Sequence, residues 1–238
     1  VLDEQSLLLS ADKSPLDVQL RRTRALLGNL AKMPGVPDLR VFEQAVNDVA
    51  AQAEVLRQSG DAAQVKALYA QLRAVTRQAA LSNPLLAFDD LLFMGYIKPG
   101  GDYHMVDQYC GWNARPGGGI FILRNFKSNP SIVDVLAQSV VDNGRFKGKS
   151  LSGGAFLRPD LSFDARRIAF AWNSVEGKCY HIFTVNVDGS KLTQLTDGVV
   201  NFNEQAVMDS SQNDFDPIWL PNGRIALLSE RRGGYLRC

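Results

Sequence analysis

Up to residue 82 the apolar positions recur every three or four places, which predicts three helices. In Pro15–Met33, Leu16, Leu20, Thr23, Leu27 and Leu30 fall on one face. Pro15 suits a first helical turn, Ser14 is a candidate cap, and Pro34-Gly35-Val36-Pro37 stops the helix. Asp38–Ser59 carries a second stripe: Leu39, Phe42, Val46, Val49, Ala53 and Leu56. After Gly60, Asp61 caps a third helix, Ala62–Leu81, with stripe Val65, Leu68, Leu72, Val75 and Ala79. The connections are short, so the helices are expected to pack antiparallel as a cap or partner-binding arm.

Beyond Asn83-Pro84 the period changes from helical to strand-like. Leu91–Ile97 reads as a short buried strand. Pro159–Gly198 reads as a turn at Ser162–Ala165, apolar Ile168–Trp172, alternating Tyr180–Val187, a hairpin at Asp188-Gly189, and Leu192–Leu195. Three or four short strands of this kind cannot bury both faces alone. Parts of the unit recur. Pro217–Ser229 repeats its start, with Pro217 for Pro159, Asn222 for Asp164, and Arg224-Ile225-Ala226 for Arg167-Ile168-Ala169. Pro84 to Asp89 has the same spacing, and Gly119–Leu136 echoes His181–Leu195, making Val133–Leu136 a strand. Unit starts near 84, 159 and 217 are 75 and 58 residues apart, longer than the roughly 40–50 of a simple propeller blade. Insertions account for the excess.

The expected fold is therefore mainly β with an α-helical N-terminal region. Residues 1–82 form an antiparallel three-helix segment, and residues 83–238 a partial β-propeller of about three blades. An ordinary β-sandwich is the competing architecture. A closed propeller needs about four to eight blades, so an open array is expected to associate through its edge or to belong to a longer chain.

Net charge is +1 over 238 residues, which argues against a generic nucleic-acid or membrane-surface binder. No apolar run approaches the length of a membrane span. The three cysteines, Cys110, Cys179 and Cys238, cannot all pair internally, and their pairing stays open. Arg21, Arg22 and Arg24 read as a solvated face rather than an anion site. The stretch Asn143–Gly154, NGRFKGKSLSGG, reads as a polar loop without the phosphate-loop pattern.

The chemistry-bearing residues concentrate in Asp102–Gly119: His104, Asp107, Cys110, Asn113 and Arg115 lie within twelve positions, followed by Gly117, Gly118 and Gly119. His104, Asp107 and Cys110 step by three and could share a face. As a ligand site, His104 and Cys110 would be ligands or polar anchors, Asp107 an orienting acceptor and Arg115 an anion clamp; no metal is specified. The plain alternative is a rigid loop whose polar groups bond backbone. Cys179 with His181, and Asp209 with Asp214 and Asp216, are sparser candidates for a soft metal and for calcium, and neither has the spacing of a complete site.

The text SFDARRIAFAW, YHIFTVNVDGSKLTQLTDG and DFDPIWLPNGRIALLSERRGG resembles the WD40-like propeller repeats of TolB-type proteins. NPLLAFDDLLF, HMVDQYCGWNARPGGGIFIL and DPIWLPNGRIALLSERRGGYLRC resemble large secreted proteins of planctomycete type, similar to the middle domain of the hydrazine synthase alpha subunit. The resemblance implies a propeller within a longer periplasmic or secreted protein. It implies a non-catalytic scaffold or binding role, with missing blades or another protein as partner. The alternative is a part of a multihaem redox subunit. No CxxCH occurs, so no cofactor is expected on this chain and any haem c would sit in other domains. A propeller lid of a hydrolase would need a GxSxG domain, which is absent here.

Overall fold

The protein is described by a computed structural model, which covers residues 7–59, 61–98, 114–174, 179–197, 199–202, 205–208 and 213–230. It divides into two compact units, Val1–Asp89 and Asp90–Cys238.

The first unit holds α1 (Pro15–Leu30), α2 (Arg40–Ser59) and α3 (Ala62–Leu81). Its core is the set of stripes read from the sequence: Leu16, Leu20, Leu27 and Leu30 meet Val46, Val49 and Ala53 and then Leu68, Leu72 and Ala79. Ser14 caps α1 by accepting from Asp17 N–H, and Asp61 caps α3 by accepting from Ala63 and Gln64 N–H. α1 ends at Leu30, three residues short of Met33, where the bonds tighten to i→i−3: Lys32 N–H donates to Asn29 O and Met33 N–H to Leu30 O. Thr23 sits within the apolar stripe and is fully buried. Its hydroxyl lies 2.7 Å from both Gln19 O and the Thr76 hydroxyl, which itself lies 2.7 Å from Leu72 O. Two protons serve these three contacts, so α1 and α3 share a small polar network inside the core. Arg21 is not on a solvated face. It pairs with Asp12 at 2.6 Å and donates to Leu7 O, fastening the segment before α1. That guanidinium holds the Asp12 carboxyl below the usual range.

Among the described residues of the second unit the strands pair antiparallel, apart from two isolated parallel bridges. Strands β1 (Leu91–Tyr96), β2 (Gly118–Arg124) and β3 (Ser131–Asp134) make the first sheet. Strands β4 (Ala155–Leu161), β5 (Arg167–Asn173), β6 (His181–Asn186) and β7 (Thr193–Gln194) make the second, in that order. Hairpins β8 (Val199–Phe202) with β9 (Gln205–Met208), and β10 (Asp214–Trp219) with β11 (Ile225–Ser229), complete the set. The architecture is mixed and sheet-rich.

The second sheet is the middle layer. On one face, Ile168, Phe170, Trp172, Phe183 and Val185 pack on Ile120, Ile122 and Val135 of the first sheet region. On the other face, Ala171, Ile182 and Tyr180 meet Phe215 and Leu227 of β10–β11. The stretch Asn143–Gly154 is more than a polar loop. Leu151 is buried in the main cluster, Phe146 packs edge-on to Trp172 at 5.1 Å, and Leu151 O accepts from Trp172 Nε1 at 2.9 Å. A Cβ on Gly154 would lie 2.0 Å from that indole nitrogen, so glycine is required there.

β1 forms where expected but is not buried. Leu92 and Met94 face the core, while Leu91 and Phe93 face outward, Phe93 at 38 % exposure against Phe121. β3 begins two residues before the expected Val133 and ends at Asp134. Val135 and Leu136 leave the strand and turn into the core.

The repeated prolines stand in matching geometry. Arg158 (φ 38°) precedes Pro159 in β4, and Asp216 (φ 50°) precedes Pro217 in β10. Each pair forms a bulge, between Leu157 and Asp160 and between Phe215 and Ile218. The following turns are alike, the first being one residue longer. Ser162 N–H donates to Arg167 O and Leu220 N–H to Arg224 O, both at 2.8 Å; Ala165 (φ 56°) and Gly223 (φ 78°) take the left-handed position; Asp164 and Asn222 accept from the amides of Arg166 and Arg224. Pro84 instead lies in a 3-10 helix, Pro84–Leu86, capped by Asn83.

Burial predicts where the second unit is sensitive. Phe183→Ala should cost about 3–5 kcal/mol, because Phe183 is fully enclosed and touches Phe170, Phe146 and Trp172. Ile132→Ala, at 65 % exposure, should stay within about 0.5 kcal/mol. Urea unfolding of the two variants checks both.

Candidate functional site

β1 and β4 run in contact within the second unit. They belong to different sheets, so the space between them is closed by side chains rather than by a hydrogen-bonded ladder. A cleft of about 180 Å³ lies there. Met94 of β1 and Phe156 and Leu157 of β4 give it apolar walls. Tyr180, 2 % exposed, also lines it, and so do Arg115 and Arg158.

Each polar group is positioned by an identifiable device. Tyr180 precedes β6. Its N–H donates to Asn213 Oδ1 at 3.0 Å, and its carbonyl accepts from Asp214 N–H at 2.9 Å. Asn213 is itself buried and donates from Nδ2 to Glu230 Oε2 at 2.8 Å, so Tyr180 is tied to the start of β10 and the end of β11. Burial pushes the Tyr180 phenol up to about 12, which keeps it neutral. Arg158 projects from the β4 bulge, and its Nε lies 2.9 Å from Asp216 Oδ1 on the matching bulge of β10. Burial raises the Asp216 carboxyl above its ordinary value, and the Arg158 charge opposes that shift. About half of the Arg158 side chain, 53 %, is exposed.

Arg115 is held at its backbone by the turn that follows it. Gly117 N–H donates to Gly154 O at 2.9 Å, and Gly117 bridges in parallel to Ala155 at the head of β4. Gly118 (φ 83°) passes so close to β1 that an added Cβ would lie 2.0 Å from Gly95 O. The glycine run therefore clamps the Arg115 segment against β1 and β4 together. Arg115 as a residue is exposed.

Of the five residues singled out in the sequence, Arg115 lines this cleft. His104, Asp107, Cys110 and Asn113 lie outside the described residues. Ile97 and Ala114 also line the cleft. Cys179 and His181 are each buried to 1 % exposure, with His181 opposite Trp172 in the register of the second sheet. Asp209 lies outside the described residues, and Asp214 and Asp216 are committed to β10. Among the described residues no group of three or more His, Cys, Asp or Glu could hold a metal ion. No helix among them is long and apolar enough to cross a membrane.

Sequence reasoning missed Arg158 and Tyr180. The signal for Arg158 was present: it directly precedes the repeated proline, as Asp216 does in the second copy, and the two charges are opposite. Tyr180 offered no such signal beyond its place at a strand start. No protein-family model, curated protein or solved structure matches the chain. The arrangement offers no nucleophile paired with a base among the described residues of the cleft. It offers an apolar floor, a neutral phenol and guanidinium charge, which is the chemistry of binding.

Because the Asp216 carboxyl is raised when folded, the native state holds its proton to higher pH than the unfolded chain does. This contribution to stability is full below the ordinary value of 3.8 and is lost as pH rises through the folded value. Replacing Asp216→Asn should remove that fall over the interval just above pH 3.8. Unfolding midpoints of the two proteins, compared across that interval, check the sign.

Proposed function

We infer that the chain is a non-catalytic β-propeller scaffold and binding region of a larger extracytoplasmic protein, similar to the middle domain of the hydrazine synthase alpha subunit. The observation that carries this reading is the matched pair of corners at Arg158-Pro159 and Asp216-Pro217, each a bulge followed by a similar turn that is one residue longer in the first copy. A repeat in sequence that is also a repeat in backbone geometry is the mark of an array built by duplication of one small sheet. Two further features support it. The sheets stack face to face through apolar clusters, with β4 in contact with both β1 and β10. Leu91, Phe93 and Ile132 of the first sheet and Ile218 and Leu228 of β10–β11 are exposed, as terminal sheets of an open array would be.

The scaffold role rests on what the cleft can do. Its described residues bind and orient, and none forms a catalytic pair. Haem c does not fit this chain. The sequence has no CxxCH, and the one described histidine, His181, is enclosed in the second sheet beside Trp172. Redox chemistry would belong to other domains, with this region positioning them.

Cryo-electron microscopy of the longest natural polypeptide that contains these residues tests the reading. The expected result is a further antiparallel sheet of the same kind covering Leu91, Phe93 and Ile132. A first sheet that instead widens by added strands into one face of a sandwich would overturn it.

A further inference from the structure

We propose that the cleft between β1 and β4 binds a small organic acid, with its carboxylate held by Arg115 and its apolar body resting on Met94, Phe156 and Leu157. The inference goes beyond the scaffold reading and does not depend on how many sheets the complete array contains.

Three observations carry it. The first is charge. Two arginines line the cleft, and the guanidinium of Arg158 is answered by Asp216 at 2.9 Å. Arg115 makes no ion pair or hydrogen bond with any of the described residues. One cationic fork is therefore left unpaired beside the apolar walls of Met94, Phe156 and Leu157. A planar guanidinium matches a carboxylate through two parallel hydrogen bonds.

The second is size. At about 180 Å³ the cleft is close to the roughly 150 Å³ of an apolar cavity that takes a benzene ring. One ring or a branched aliphatic group with a short acid head fills it, and a nucleotide does not. Inorganic phosphate fits poorly for a different reason. It would leave the walls of Met94, Phe156 and Leu157 uncovered and would set about two negative charges against one unanswered cation.

The third is preparation of the site before any ligand arrives. The Arg115 segment is pinned to β4 through Gly117 and pressed on β1 through Gly118. Tyr180 is fixed by Asn213. These described parts of the site are held in place without a ligand, which favours affinity.

Benzoate is the probe. It is titrated into the whole chain and followed by calorimetry, with benzyl alcohol and inorganic phosphate as comparisons. Saturable benzoate binding is expected, with benzyl alcohol at least about tenfold weaker and phosphate failing to compete. Arg115→Gln should weaken benzoate about tenfold or more, the loss of a charge-assisted pair. Because Arg115 is exposed, that variant is expected to keep its circular dichroism spectrum. Leu157→Trp, which fills the cleft, should also abolish binding. The proposal is overturned if benzoate does not bind, if folded Arg115→Gln binds it as tightly as the parent, or if phosphate competes equally well.

Discussion

The second unit depends on one backbone constraint, a bulge before a proline that occurs twice. A residue preceding proline is normally driven to extended geometry, yet Arg158 and Asp216 both stand at positive φ. Each such residue costs on the order of 1–3 kcal/mol. The surroundings hold both. Pro159 and Pro217 cannot donate to a ladder, and the bulges turn β4 and β10 so that neither extends the other's sheet. The two corners are instead joined by side chains: Arg158 reaches Asp216, and Trp219 N–H donates to Asp160 Oδ2 at 2.6 Å. Arg167 lies over the Trp219 ring at 4.4 Å. Separate sheets fastened at their first strands leave room between faces for apolar packing, and that packing makes the second sheet the best buried part of the unit.

The same constraint makes the cleft. If β1 and β4 were neighbours in one sheet, their backbones would close to ladder distance and leave no space. As first strands of different sheets they contact through side chains, and a cleft of about 180 Å³ remains. The bulge also aims Arg158 at it. Architecture and candidate chemistry therefore have one origin.

The three helices were legible because a 3-4 spacing survives in any environment. Every residue of the first stripe, Thr23 included, is buried. The turn and strand order of 159–195 were legible because Pro, Asp-Gly and alternation each name a local geometry. The exposed outer face of β1 was not legible. Leu91 and Phe93 look like core in sequence, and only the stacking order shows that no described sheet covers them. The cleft was not legible either, since Met94, Arg115, Leu157 and Tyr180 converge from well-separated stretches of the chain. Arg115 was found for its place in an unusual loop, and its clamping by Gly117 and Gly118 required coordinates.

The most direct test is amide hydrogen exchange on the parent chain and on Asp160→Ala. If the sheets are fastened at their first strands, removing the carboxylate should release the Trp219 amide and lower protection along β10 and β11. The buried amides of Ile168, Phe170 and Phe183 in the second sheet should remain slow. Unchanged protection in β10–β11 would contradict the account, because it would mean that packing alone holds that sheet in place and the paired corners do not.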